Sequence, residues 1–234
     1  ESEWKDIQTR FEKICQESSK KNIKVLVDAE ESWIQSAIDE LVLQMMIKYN
    51  SKNAVVFNTI QAYRRDRFEY LKRLHQSNSG QFKIGVKLVR GAYMEKERKR
   101  ALRYNYSSPI CDNKEQTDQV FNNSLEFIIS NIDDFELFIG SHNEDSNRLS
   151  TKLLKKYMIE NSDDRVWFSQ LYGMSDNISF SLANNGYNVA KYLPFGPVRE
   201  VMPYLMRRLE ENSSISSQTN RELKLIKKEI LRRK

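Results

Sequence analysis

Short apolar runs alternate with longer amphipathic stretches along the chain. The first run is Ile23-Lys24-Val25-Leu26-Val27, ending at Asp28-Ala29-Glu30-Glu31. Ile34, Ile38, Leu41 and Met45 then recur at helical spacing. The second run is Ala54-Val55-Val56-Phe57, ending near Asn58-Thr59-Ile60-Gln61, and Tyr63 to His75 reads as a helix with Phe68, Leu71 and His75 on one face. The third run is Ile84 to Val89. A longer insert follows: a charged helix over Glu95 to Arg103, a loop over Tyr104 to Asn113 with Pro109, and a second helix over Gln116 to Ile129. Further strands are predicted at Phe135 to Ile139, Arg165 to Ser169 and Tyr187 to Tyr192. Helices are predicted around Leu149, Leu153 and Met158, over Val198 to Glu211 and over Asn220 to Arg232, and one more ahead of the first strand, Trp4 to Gln16.

Strands alternating with helices predict parallel βα units. The strand-end positions Asp28, Gln61, Lys87, His142, Gln170 and Tyr192 lie 33, 26, 55, 28 and 22 residues apart. A βαβ unit needs roughly 30 residues, and the long interval is the one with the extra helix. A barrel and a doubly wound sheet share this alternation. The polar or aromatic residues ending every run favour the barrel, whose enzymes place their chemistry at strand C-termini. No linker or low-complexity segment interrupts the chain, so residues 1–234 read as a single domain.

Composition narrows the class. The 234 residues are 39% hydrophobic and 30% charged, enough for a sizeable core. The net charge of +6 permits a nucleic-acid partner, but the 38 basic residues are interleaved with 32 acidic ones, as on solvated helix faces, so none is expected. With Cys15, Cys111, His75 and His142 as the only cysteines and histidines, no zinc site is expected, and the cysteine usage fits a reducing compartment. No apolar run approaches the roughly 18 residues of a membrane span.

There is no Gly-x-Gly-x-x-Gly fingerprint, Gly-x-Ser-x-Gly elbow or Walker loop. Four polar clusters carry the candidate chemistry. Lys87-Leu88-Val89-Arg90-Gly91-Ala92-Tyr93 places two cations at a strand end, suited to a flavin ring and a phosphate, or simply to solvation. Ser141-His142-Asn143-Glu144 follows another strand. Asp28-Ala29-Glu30-Glu31 suits either a site or the N-terminus of a helix. Tyr204, Arg207, Arg208 and Glu211 fall at i, i+3, i+4 and i+7, where paired guanidinium groups beside a phenol suit a carboxylate and Glu211 can pair with either arginine.

Together these clusters, with Asn58-Thr59-Ile60-Gln61-Ala62-Tyr63, Gln170-Leu171-Tyr172-Gly173-Met174 and Tyr192-Leu193-Pro194-Phe195-Gly196-Pro197, resemble the proline dehydrogenase family. The motifs occur in family order from about residue 23 to the C-terminus. The resemblance implies a distorted (βα)8 TIM barrel with FAD at the strand C-termini and a final helix over the mouth. It implies oxidation of L-proline to 1-pyrroline-5-carboxylate by hydride transfer from C5 to flavin N5. Arg207 and Arg208 would hold the proline carboxylate, Glu211 would form a structural ion pair, Tyr192, Tyr204 and Leu88 would pack on the ring, and Asp28 would orient the polar network. Gln61, Lys87, Arg90, Gly91, Ala92, Ser141, His142, Asn143 and Gln170 would contact FAD. Some members have Arg at the position of Lys87, so the charge is kept and the planar fork lost.

The resemblance further implies a quinone or other respiratory electron acceptor, a peripheral association with the membrane and a separate pyrroline-5-carboxylate dehydrogenase. The location would be the bacterial cytoplasm or the mitochondrial matrix. Hydroxyproline is the alternative substrate, disfavoured because Tyr192 would crowd a 4-hydroxyl. A non-catalytic basic binding domain is the alternative from another class. Only about six of eight βα units are visible, and the family's substrate-binding lysine on an earlier strand has no match. The chain thus reads as the C-terminal portion of a longer, monofunctional protein, and residues 1–234 alone are expected to bind FAD poorly.

Overall fold

The computed structural model describes the backbone of residues 2–214 and 216–233, and the side chains of these except 207–222, 224 and 225. The chain divides into two compact units, Glu1–Tyr192 and Leu193–Lys234, where the sequence suggested one domain.

The first unit runs α1 (Ser2–Lys20), β1 (Val25–Val27), α2 (Ser32–Tyr49), β2 (Val56–Gln61), α3 (Arg67–Asn78), β3 (Ile84–Val89), α4 (Met94–Tyr104), α5 (Lys114–Ser130), β4 (Phe135–Gly140), α6 (Glu144–Lys156), β5 (Val166–Leu171), α7 (Asp176–Asn184) and β6 (Val189–Tyr192). The second unit holds α8 (Val198–Ser214) and α9 (Ser216–Arg233). All six strands pair parallel in the order β1-β2-β3-β4-β5-β6 and form a curled half-barrel. The barrel-type α/β fold expected from the strand-end residues and the family resemblance is what is found.

Side chains alternate across each strand and sort into two layers. Between the strands and the helices lies the main core, with Val56, Ile60, Ile84, Val86, Leu88, Leu137, Ile139 and Phe168 of the sheet against Val42, Met46, Leu71, Phe121, Leu125 and Ile128 of the helices. Each such side chain, fully buried, contributes on the order of 1.5–3 kcal/mol. The concave face carries a smaller apolar layer: Ala54, Phe57 and Phe138, with Leu26, Trp167 and Ala190 against them. Phe57 meets Phe138 edge-on at 5.2 Å, and Phe138 stacks on Trp167 at 6.0 Å. Gly85 sits beside Phe57 in the register. A Cβ there would lie 2.3 Å from the Val56 carbonyl oxygen and 2.9 Å from the Phe57 ring, so glycine lets this layer close.

Two elements depart from the expectation. β2 continues through Asn58-Thr59-Ile60-Gln61, all buried, where the apolar run stops at Phe57. α7 was not expected at all: its nine residues bury only Ile178, Ser179 and Leu182, too few to set a helical period.

Candidate active site at the strand C-termini

The site is built on the concave face, one step above the aromatic layer. Thr59 and Lys87 are register partners, and Lys87 pairs in turn with Phe138 on β4. Thr59 is short, and its hydroxyl is turned to the Val27 carbonyl oxygen at 2.7 Å. Lys87 therefore reaches across β2, and its ammonium forms an ion pair with Asp28 at the end of β1. The same ammonium lies 5.9 Å from the Tyr192 ring centroid at the end of β6, within cation–π range. Residues from three strands thus converge around one largely buried cation.

The Asp28–Glu31 loop is pinned from below. Gln61 donates to the Glu30 carbonyl oxygen at 2.7 Å, and the Glu30 N–H donates to the Gln35 side chain at 2.9 Å. Asp28 does not cap α2; the N-cap residue is Glu31. At the other side, Asn143 caps α6 by accepting from the Ser146 N–H, and the Ser141 hydroxyl accepts from the Asn143 N–H. His142 Nδ1 faces the Ser175 hydroxyl at 2.9 Å, and the Leu171 N–H approaches His142 Nε2 at 3.5 Å, so the ring is held between α7 and the end of β5.

Alternation sends other expected site residues to the helix layer. Leu88, fully buried, joins the main core and is not brought to the concave face. Gln170 is held by the Ser141 carbonyl oxygen and by the hydroxyl of Ser179 on α7. Arg90 points toward α5 and α6, where it donates to Asp118 at 2.7 Å, Ser141 at 3.0 Å and Ser146 at 2.9 Å, with its guanidinium over the Phe121 ring. Burial acts to raise the Asp118 pKa, but hydrogen bonds from Lys114 and Arg90 outweigh it and leave it low. Tyr204 lies on α8 as expected. The side chains of Arg207, Arg208 and Glu211, on the same helix, lie outside the described residues.

Gly91 and Ala92 form the turn after β3. Gly91 has φ +121°, and a Cβ there would fall 2.5 Å from the Tyr63 ring. Both backbone strain and the clash weigh against a side chain, so Gly91→Ala is expected to destabilise by about 1–3 kcal/mol. A melting temperature equal to wild type would show that the turn relaxes freely.

The comparisons with known proteins agree with this fold. A family profile described as Proline dehydrogenase matches residues 3–221. This chain belongs to the proline dehydrogenase family. It is 41% identical over 239 residues to Proline dehydrogenase 1, mitochondrial, of Dictyostelium discoideum, covering 99% of this chain and 42% of that protein. It is 37% identical over 228 residues to the human protein of the same name, covering 96% of this chain and 38% of the relative. A bacterial relative, the carbapenem antibiotics biosynthesis protein CarD of Pectobacterium carotovorum, is 39% identical over 99% of this chain and 60% of its own length. Among solved structures, proline utilization A of Bdellovibrio bacteriovorus, inactivated by N-propargylglycine, superposes with a TM-score of 0.84 at 26% identity, covering 91% of this chain and 22% of that one. The chain thus spans about two-fifths of the Dictyostelium and human relatives. Within this family fold, Lys87, Asp28, Gln61 and Tyr192 are the predicted residues that the concave face gathers.

Neither the place of Thr59 beside Lys87 nor the burial of Glu97 was anticipated. Nothing in the charged run Glu95 to Arg103 distinguishes Glu97, although it is fully buried.

Proposed function

We propose that this chain carries the flavin site and substrate site of an FAD-dependent enzyme that oxidises L-proline to 1-pyrroline-5-carboxylate. The observation that carries the reading is the Lys87 ammonium, largely buried on the concave face between Asp28 and Tyr192 in a chain of this family. The chemistry of the donor set fits the cofactor. Phe57, Phe138 and Trp167 make an aromatic layer on the same face as the Lys87 ammonium, suited to a flat ring that gains negative charge. The capped N-terminus of α6, at Ser141, His142 and Asn143, suits a phosphate. FAD, when bound, supplies the two-electron oxidation by accepting hydride from the ring carbon beside the proline nitrogen.

The chain's own residues bind and orient. Lys87 would hold positive charge where the flavin ring becomes anionic. Asp28 keeps that ammonium in place, and Gln61 fixes the loop bearing Asp28. Tyr192 would wall the substrate ring, with Tyr204 as a second aromatic contact. Arg207 and Arg208 would clamp the carboxylate, with Glu211 as their ion-pair partner. The electron acceptor would be a quinone or another respiratory carrier, with peripheral attachment to a membrane and a separate dehydrogenase consuming the product. Several relatives are named as mitochondrial, which supports a mitochondrial location. Among the described residues, no helix is long and apolar enough to cross a membrane.

In the complete protein, Arg207→Ala or Arg208→Ala should raise the proline KM by roughly 30- to 5,000-fold, the cost of unpairing a desolvated carboxylate. Flavin content should be unchanged. An unaltered KM in both variants would remove the clamp from the proposal. The experiment for the reaction itself is steady-state reduction of a dye acceptor with L-proline and with 4-hydroxyproline. Faster turnover of proline is expected. Faster turnover of hydroxyproline would reassign the substrate, and turnover of neither would overturn the reading.

A further inference from the structure

Helix α2 begins without a cap of its own. Its N-cap residue, Glu31, makes no side-chain capping hydrogen bond, and its first turn contains no acidic residue. The first N–H groups of a helix lack intrahelical partners and form its positive end. Here the cap comes from another helix. Glu97 of α4 is fully buried. One of its carboxylate oxygens accepts from the Ser32 N–H at 2.5 Å, and the other from the Ser32 hydroxyl at 2.7 Å. Neighbouring contacts fasten the same two helices together: Lys96 pairs with Glu31, and the Arg100 guanidinium lies 4.3 Å from the Trp33 ring centroid.

A buried carboxylate is costly unless hydrogen-bonded, and a position that only filled space would be apolar. Two hydrogen bonds and a helix N-terminus compensate Glu97. Its charge is also felt at the turn after β3: burial first, then Glu97, pushes the Tyr63 hydroxyl pKa up, and Gly91 lies against that same ring.

The capped end of α2 adjoins the loop that carries Asp28. Lys87 and Glu97 belong to one segment, β3 to α4, and both reach this loop, Lys87 at Asp28 and Glu97 at Ser32. Gln61 and Gln35 hold Glu30 between those two points. A shift of the α2 N-terminus would therefore carry Asp28 away from Lys87.

We propose that Glu97 is a positioning residue of the site: by capping α2 from α4, it sets the 28–32 loop and through it the Asp28–Lys87 pair. The kinetic part of this proposal rests on the proline oxidase reading, and the structural part does not. The test uses the complete protein with Glu97→Ala, Asp28→Ala, the double variant, and Ser32→Ala, which removes one hydrogen bond and guards against Glu97→Ala failing to fold. Loss of the cap should speed amide hydrogen exchange over residues 29–35 by roughly 2- to 30-fold, with β3 and β4 unchanged. Ser32→Ala should act in the same direction and less strongly. Glu97→Ala should lower kcat/KM for proline, and the double variant should be no slower than Asp28→Ala alone, because both act through one pair. Unchanged exchange over residues 29–35, or single losses that multiply in the double variant, would overturn the proposal. If the wild type does not oxidise proline, the functional reading fails and the exchange measurement still decides the role of Glu97.

Discussion

Asp39→Ala is expected to lower the stability of the complete protein by about 3–5 kcal/mol, the loss seen when one partner of a buried ion pair is removed. Asp39 is buried between α2, β2 and α3. One oxygen accepts from Gln35 at 2.9 Å and Asn58 at 2.8 Å, and the other accepts both terminal nitrogens of Arg67 at 2.7 and 2.8 Å. Burial acts against the Arg67 charge, and Asp39 opposes that effect. The guanidinium also lies 4.0 Å from the centre of the Tyr70 ring, whose hydroxyl pKa is pushed up to about 12 by burial and then by the Asp39 charge. Without Asp39, Arg67 is left buried and uncompensated, and Gln35 loses a partner while still holding Glu30. By the scaling for a domain of about 150–250 residues, the melting temperature of the unit that holds this pair should fall by roughly 6–20 °C. A fall of a degree or less would mean that Arg67 finds water or another acid.

Lys87→Ala is expected to act on turnover. A charge that matters most when the flavin ring gains electrons favours the transition state over the ground state. Removing one such preorganised group commonly costs about 100- to 1,000-fold in kcat. KM should rise less, and flavin content should be largely kept. If Lys87 only fixes the end of β3, thermal stability will fall while kcat per bound flavin stays normal. Rapid reduction of the bound flavin by proline, measured in single turnover, separates these outcomes.

The fold was legible because its βα alternation is written in apolar periodicity, and Ile84 to Val89 reads as a strand in sequence and structure alike. What failed was reading polar residues inside elements. Asn58, Thr59 and Gln61 look like a strand's exit, yet all three are buried because Asp39, the Val27 carbonyl and the Glu30 carbonyl receive their protons. Such partners are distant in sequence, so no local pattern announces them. The motifs singled out Lys87 and Asp28, which the structure pairs, but gave no side for each residue. Strand alternation alone separates Lys87, facing the mouth, from Leu88 and Arg90, facing the helices. Glu97 was invisible because its partner Ser32 lies on another helix, and capping from a distance leaves no spacing rule.

The central claim is that the concave strand ends around Lys87 hold a flavin that proline reduces. Anaerobic addition of L-proline to the complete, purified protein tests it most directly. The account predicts a yellow protein with stoichiometric FAD whose visible absorbance bleaches on adding proline and returns with an electron acceptor. A colourless protein that cannot be reconstituted with FAD, or a bound flavin that proline leaves oxidised, would contradict it.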